Sequence, residues 1–326
     1  MRIRNQNIIN MMFVLAFFAV IVLTGCSGKK ETGTAEPMAG KKPEAAAKTV
    51  EKVESSKLKV IATTNIAADV VSNIGGDRIK LSILIPSGTS PHTFQPRPVD
   101  LARISAADII LISGAGLEEY MGSVMKNIAS GVNVVSLSEG IKLRQSPLEK
   151  GEPDPHVWFS PANVIVWVKE INKILDKYDP KNSDYYDKRA LTYTAQLKAL
   201  DKWVFSKVET LPENKRLLVT DHFFLGYFAE RYSFIVLDAI YKSHTTAAEP
   251  SAKDVARLVT EIKKYGIKAI FVGKFTNKNI AAEISRDTGA RVVPVYTGTL
   301  DSPGGQVDTY IKFIRYDVAQ IAENLK

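Results

Sequence analysis

Short apolar runs alternate with segments of helical periodicity from Leu58 to the end of the chain. Most of the runs are continuously apolar, which is typical of parallel strands that are covered on both faces. Helical segments separate these runs, so the order of elements predicts an α/β fold. The predicted strands are 59–64, 79–85, 108–113, 132–137, 216–220, 234–240, 267–273 and 290–296.

Helix signals occur between the strands, for example over 66–74, 99–106 and 251–264. Ser251 precedes the last of these, and Asp254 follows it three positions later. This arrangement resembles a capping box, so we expect Ser251 to be the N-cap of that helix.

The middle of the chain contains two helical segments with no predicted strand between them. The first spans 161–179, and the second spans 182–211 with apolar residues at every third or fourth position. Two ordinary helices in a hairpin would also explain this pattern. We favour one long helix over 182–211 that links two lobes, because about 30 helical residues extend for ~45 Å, more than the width of a small domain.

These elements predict two lobes, each with a mostly parallel sheet flanked by helices, joined by a long linker helix. Five segments follow from the chain order. They are a signal segment (1–26), a flexible tether (27–57), an N-terminal lobe (58–180), the linker helix (181–212) and a C-terminal lobe (213–326).

Residues 1–26 have the pattern of an export signal. Two arginines precede the apolar run Met11–Leu23, which is shorter than the roughly 20 residues that span a bilayer. The run ends in Leu23-Thr24-Gly25-Cys26, which resembles the lipobox of bacterial lipoproteins. A short membrane anchor with an incidental cysteine is the alternative. Because the chain has one cysteine and it lies at the position that this signal requires, we predict that Cys26 is acylated and anchors the mature protein to a membrane, facing the extracytoplasmic side of the cell envelope.

Most of the positive charge lies outside the predicted fold. The formal net charge is +8, of which residues 1–59 carry +5. Residues 27–57 contain no aromatic residue and are rich in Lys, Glu, Ala and Pro, a composition typical of a flexible tether. The folded part is nearly balanced in charge, so we expect no nucleic-acid partner.

A single cysteine also excludes an internal disulfide framework and a thiolate-rich metal site.

Three of the four histidines lie where open α/β sheets bind ligands, past the carboxyl ends of strands. His92 follows strand 79–85, His156 lies after a polar loop, and His222 follows strand 216–220 with only Asp221 between. Taken singly, each is better explained as an ordinary loop histidine. Together, and drawn from both lobes, they predict a three-histidine site for a divalent metal, with Zn–N distances of about 2.0–2.1 Å.

Aspartates accompany two of these histidines. Asp154 and Asp221 could orient the imidazoles by accepting their second N–H group. The alternative is that both cap turns, and we favour turn capping for Asp154 because it precedes Pro155.

Five stretches of the chain together resemble a known family in that family's own order. They are PHTFQPRPVDLARISAADIILISGAGLE, DPHVWFSPANV, VTDHFFLGYFAERYSF, AEPSAKDVARLVTEIKKYGIKAIFVG and GGQVDTYIKFIRYDVAQIAENL. Through these stretches, the chain resembles the zinc/manganese-type solute-binding lipoproteins of bacterial ABC transporters. The resemblance implies a metal-binding protein, not an enzyme, that captures a divalent metal in the interdomain cleft and delivers it to a membrane permease.

The resemblance also implies a ligand set that contains His92, His156 and His222. Manganese-selective members tend to carry a glutamate at the third position, so His222 favours zinc, with manganese as the alternative. We expect the protein to act as a monomer.

Two departures from the family pattern concern the rest of the site. The family often supplies an aspartate as fourth ligand, and the corresponding position here is Gly298. Asp301, three residues further on, is our candidate fourth ligand, and water or His244 are the alternatives. The histidine-rich loop of many zinc-selective members is also missing, since residues 144–153 contain no histidine.

Two other functions compete with transport. A three-histidine zinc hydrolase would hold an activated water at the open metal position, but no glutamate adjoins any of the three histidines. A surface protein for cell adhesion, with a structural metal, is the other alternative.

Overall fold

The computed structural model describes residues 57–127, 131–147, 151–244 and 249–326. The predicted signal segment with Cys26, and the predicted tether up to residue 56, lie outside the described residues. None of the described helices combines the length and the apolar character needed to cross a membrane.

The first lobe is built on a parallel sheet in which β1 and β3 are the central strands, in the order β2-β1-β3-β4. Buried apolar side chains such as Ile109, Ile110 and Leu111 fill the central strands, which explains why these runs are continuously apolar. The elements are β1 (Leu58–Ala62), α1 (Asn65–Gly75), β2 (Ile79–Ile83), α2 (Pro98–Ser105), β3 (Ile109–Ile112), α3 (Met121–Asn127) and β4 (Asn133–Ser136).

Two helices follow the first sheet, α4 (Pro161–Tyr178) and α5 (Ser183–Val208). α5 has 26 residues and is ~39 Å long. Its buried residues recur every three or four positions, from Tyr186 to Val208, and they pack against helices of both halves of the chain. The long-helix interpretation is therefore correct for this segment.

The second lobe repeats the strand order of the first in a separate parallel sheet, β6-β5-β7-β8. Ser251 caps α7 by accepting a hydrogen bond from the Asp254 amide at 3.1 Å, as predicted. The elements are β5 (Leu217–Thr220), α6 (Gly226–Tyr232), β6 (Ile235–Ala239), α7 (Ala252–Tyr265), β7 (Ala269–Gly273), α8 (Asn279–Thr288), β8 (Arg291–Val295) and α9 (Tyr310–Asn324).

One hydrophobic core runs through both lobes. It extends from β1 and α1 through α4 and α5 to α9, and it contains large buried side chains such as Trp167, Tyr310 and Phe313. Each lobe adds a smaller core of its own. The predicted fold class, two lobes with parallel sheets joined by a long helix, is confirmed. The shared core holds the edges at which the strands of the two sheets end against each other.

Candidate metal centre

The three histidines that follow strand ends converge at the junction of the lobes. The Nε2 atoms of His92 and His156 lie 3.1 Å apart. The imidazole centroids of His222 lie 5.3 Å from His156 and 6.0 Å from His92. One potential ligand atom of each histidine lies within 4.8 Å of those of the other two. His156 and His222 are buried, and His92 is partly buried.

This spacing fits a tetrahedral zinc ion. Two nitrogens bound at about 2.0–2.1 Å in tetrahedral geometry are about 3.3 Å apart. The observed 3.1 Å between the Nε2 atoms of His92 and His156 is close to that edge. Three imidazoles on one side of a small cavity can therefore hold a single divalent ion.

His222 stands at the end of β5, where Asp221 fixes its ring. Asp221 Oδ1 accepts hydrogen bonds from the backbone N and the Nδ1 of His222, both at 2.7 Å. Its Oδ2 accepts from Gly273 N at 2.8 Å and from the Thr276 hydroxyl at 3.0 Å. Burial opposes ionisation, but His222 and these donors outweigh it and lower the pKa of the Asp221 carboxyl. An ionised acceptor at Nδ1 leaves the Nε2 lone pair of His222 free for a metal.

His156 is oriented in the same way. Asp154 Oδ1 accepts from the backbone N and the Nδ1 of His156, both at 3.0 Å. Asp154 therefore serves both roles considered from the sequence, since it caps the turn, as favoured there, and also orients the ring. Burial raises the pKa of the Asp154 carboxyl, and the nearby Arg144 guanidinium, 3.8 Å away, acts against that rise.

Arg144 and Asp154, which flank a bridge between Gln145 and Pro153, are both attached to the second lobe. The hydroxyl of Tyr227, on α6, accepts from Arg144 N at 3.0 Å and donates to Asp154 O at 3.0 Å. Arg144 also forms an ion pair with Glu230 on the same helix. The support of His156 thus depends on contacts between the lobes.

Burial keeps the imidazoles of His92 and His156 in the form that binds metals. It lowers the pKa of His92 well below 6.5, and the charges of the neighbouring histidines act in the same direction. The pKa of His156 is also lowered well below 6.5, again through burial first. Neutral rings with free lone pairs are the metal-binding form of histidine.

A cavity of about 60 Å³ lies beside the three imidazoles. Its walls come from the loop after β2 (residues 88–92), from Phe275 and Thr276 after β7, and from residues 297–299 after β8. The volume suits an ion with one or two waters and no organic substrate.

Asp301 does not join the cluster. Among the described residues, one group of potential metal ligands consists of the three histidines, and neither of the two groups includes Asp301. Its Oδ2 accepts from the Tyr296 hydroxyl at 2.7 Å and from Val307 N at 3.1 Å, and its Oδ1 lies 3.4 Å from the Lys274 ammonium. The carboxylate is thus hydrogen-bonded and ion-paired within the second lobe, and Asp301 as fourth ligand stays a prediction.

His244 lies beside His156, at the edge of the centre. Its ring centroid is 5.8 Å from that of His156, and it forms a second group of potential ligands with Asp154 and His156. Its Nε2 is 2.6 Å from the Ser146 hydroxyl.

Sequence reasoning missed the residues that close the cavity from the two sides. Thr276 supports Asp221, and Asn65 binds the loop after β8. The signal available for Asn65 was its position at the carboxyl end of β1, beside the point where the strand order reverses.

The comparisons with known proteins agree with this architecture. The family described as "Zinc-uptake complex component A periplasmic" matches residues 60–324. The manganese ABC transporter substrate-binding lipoprotein PsaA of Streptococcus mitis is 31% identical over 324 residues, which cover 96% of this chain and 97% of that protein. The iron ABC transporter substrate-binding lipoprotein MtsA of Streptococcus pyogenes serotype M1 is 31% identical over 319 residues, 95% of this chain and 96% of that one.

A solved structure shows the same fold. The periplasmic zinc-binding protein TroA from Treponema pallidum superposes with a TM-score of 0.78 at 29% identity, covering 83% of this chain and 99% of that one. The names of these proteins specify manganese, iron or zinc, and their sequence identities to this chain are similar. Overall similarity therefore does not decide the metal.

Two parallel sheets whose strand ends meet at a small cleft define a two-lobed solute-binding protein. The chain belongs to the family of the periplasmic component A of zinc-uptake complexes. It is the substrate-binding component of a metal ABC transporter and not an enzyme, and it works at the extracytoplasmic side of the cell envelope.

Proposed function

We propose that the protein captures Zn²⁺ with His92, His156 and His222 and presents it to the permease of its transporter. The observation that carries the proposal is the set of three buried or partly buried imidazoles within one cluster, two of them held by aspartates at Nδ1. Three neutral nitrogen ligands suit Zn²⁺, whereas Mn²⁺ favours a site with more carboxylate oxygens. Water or His244 completes the coordination.

The proposal includes the chain's organisation in the cell envelope. Residues 1–26 act as a lipoprotein signal and Cys26 carries the acyl chains, with residues 27–57 as the tether to the lobes at 58–180 and 213–326. The protein works as a monomer, because one chain supplies all three histidines.

The test uses the mature chain without its lipid, with metal content and affinity measured by competition against chelators for Zn²⁺ and Mn²⁺. We expect one Zn²⁺ per chain and tighter binding of Zn²⁺ than of Mn²⁺. His92→Ala, His156→Ala and His222→Ala should each weaken Zn²⁺ binding by at least 100-fold, given the loss of one of three protein ligands. Asp301→Ala is the matched control, because its carboxylate lies outside the cluster. Tighter Mn²⁺ binding, or an Asp301→Ala loss equal to that of the histidines, would refute the proposed site.

A further inference from the structure

Asn65 joins the two lobes through a contact with Thr299, which lines the cavity. It is the first residue of α1 in the first lobe, and the residue is 7% exposed. Its Nδ2 donates to Leu300 O at 3.0 Å, and its Oδ1 accepts from Leu300 N at 2.9 Å. The side-chain amide thus pairs with both backbone groups of a residue 235 positions away, as a strand neighbour would.

The same amide binds the residue before Leu300. Asn65 Nδ2 lies 3.0 Å from the Thr299 hydroxyl, which also accepts from Gly88 N at 3.1 Å. Asn65 Nδ2 also lies 3.1 Å from the Ser87 hydroxyl, so its two N–H groups are shared among three oxygens. The loop after β8 is therefore bound to two segments of the first lobe at once, and one of them, at Gly88, lines the cavity.

This loop reaches the segments that carry the first two histidines. A Cβ atom placed on Gly298 would lie 3.1 Å from the ring of Pro91, the residue before His92. The indole N–H of Trp158, two residues after His156, donates to Thr297 O at 2.9 Å. Residues 297–299 also line the cavity. A shift of the loop would open the cavity and release the packing on His92.

We propose that Asn65 is a positioning residue that holds the loop 297–300 over the bound metal and thereby sets how slowly the ion leaves. Asn65 itself touches no ligand atom of the cluster, so its effect acts through the loop. The inference rests on the proposed function, because it requires that the three histidines bind an ion.

The experiment measures the rate at which Zn²⁺ passes from the protein to a chromophoric chelator, in wild type and in Asn65→Ala. Loss of two or more buried hydrogen bonds should raise the dissociation rate by roughly tenfold or more, while the metal content at saturation stays at one ion. The control is Asn73→Ala on the same helix, whose side chain donates only to Asp69 O within α1 at 2.8 Å. We expect wild-type kinetics for that control.

Two further variants keep the test decisive if Asn65→Ala does not fold. Thr299→Val removes the hydroxyl from the other end of the contact and preserves the shape of the side chain, so it should also speed release. Asn65→Asp replaces the donor to Leu300 O with an acceptor and should act in the same direction. In the double variant Asn65→Ala/Thr299→Val, the increase in the dissociation rate should be smaller than the product of the two single increases, because both substitutions remove the same contact between Asn65 and Thr299.

The possible failures can be told apart. If wild type binds no Zn²⁺, the proposed function is wrong. If wild type binds Zn²⁺ and the Asn65 and Thr299 variants release it at the rate of Asn73→Ala, the function stands and the role of Asn65 is refuted. A loss of thermal stability with unchanged release would likewise show that Asn65 is only structural.

Discussion

Asp221 Oδ1 lies 2.7 Å from Nδ1 of His222, its neighbour in the chain, and its other oxygen is held by Gly273 N and Thr276. With the bond from His222 N, four hydrogen bonds converge on this one buried carboxylate at the end of β5. The ring of His222 is therefore fixed before any ion arrives. Much of the metal affinity should depend on a residue that never contacts the metal.

Asp221→Asn tests this dependence. An amide in place of Oδ2 would face two donors, so the side chain would turn or shift and the ring of His222 would lose its partner. We expect Zn²⁺ affinity to fall by roughly 10–100-fold, as for other partners of metal-bound histidines. Competition titration measures the change. Asp317→Asn, at a buried carboxyl on α9 in the same lobe, is the control, and an equal loss there would contradict the argument.

His222→Glu tests the basis of metal choice. The substitution exchanges an imidazole for a carboxylate beside Asp221, which removes the softer ligand. Zn²⁺ affinity should fall more than Mn²⁺ affinity, so the ratio of the two dissociation constants should move toward manganese. Asp301→Glu serves as the comparison, because this carboxylate lies outside the groups of potential metal ligands among the described residues. An unchanged ratio in His222→Glu would show that the third ligand does not set the preference.

Gly298→Ala tests the packing of the loop on His92's segment. The added Cβ would lie 3.1 Å from the Cγ and Cδ atoms of Pro91, so the loop or the proline must move by a few tenths of an ångström. We expect weaker Zn²⁺ binding through displacement of His92, by severalfold, since overpacking costs about 1–3 kcal/mol. Gly122→Ala on α3 has open space at the Cβ and should leave binding unchanged. Equal affinities in the two variants would refute the packing argument.

Asp69 gives the fold a pH dependence of defined sign. This residue of α1 accepts a hydrogen bond from Tyr310 N, at the start of α9, at 2.9 Å. Burial raises the pKa of its carboxyl from 3.8 to about 6. A carboxyl whose folded-state pKa is raised stabilises the fold fully below 3.8, and this contribution is lost as the pH rises through 6. The loss is on the order of 3 kcal/mol for about two pKa units.

Asp69→Asn should remove that loss while keeping an acceptor for Tyr310 N. We expect the variant to gain stability over wild type as the pH rises from 4 to 7, measured as the free energy of urea unfolding with the metal removed by chelator. Asp287→Asn at an exposed position of α8 is the control and should follow wild type at every pH. If the difference between Asp69→Asn and wild type is the same at pH 4 and 7, the raised pKa is contradicted.

Much of the fold could be predicted from local patterns. Each of the apolar runs proposed as strands overlaps an observed strand, from β1 to β8. A strand that is buried on both faces needs a continuous run of apolar residues, and such a run is visible in the sequence. The periodic apolar positions of α5 likewise show which face is buried. The same strand order in both sheets was not visible, because topology can repeat without any repeat of sequence.

The candidate site, like the fold, could be predicted only in part from the sequence. The positions of His92, His156 and His222 after strand ends follow from the sequence, since the carboxyl ends of parallel strands meet at one edge. The sequence did not decide whether Asp154 orients a ring or caps a turn, because both roles use the same carboxylate and only the geometry shows that it does both.

Contacts between the two lobes could not be predicted from the sequence. Asp301 lies near the site in chain order, yet Tyr296 and Lys274 hold its carboxylate within its own lobe. Asn65 and Leu300, 235 positions apart, form a buried pair that no local pattern marks. By itself, the sequence determined the elements and the three imidazoles, because these depend on neighbours in the chain. The packing of one lobe against the other decided which side chains complete and close the site, because the partner of a side chain in such an interface is set by the whole fold.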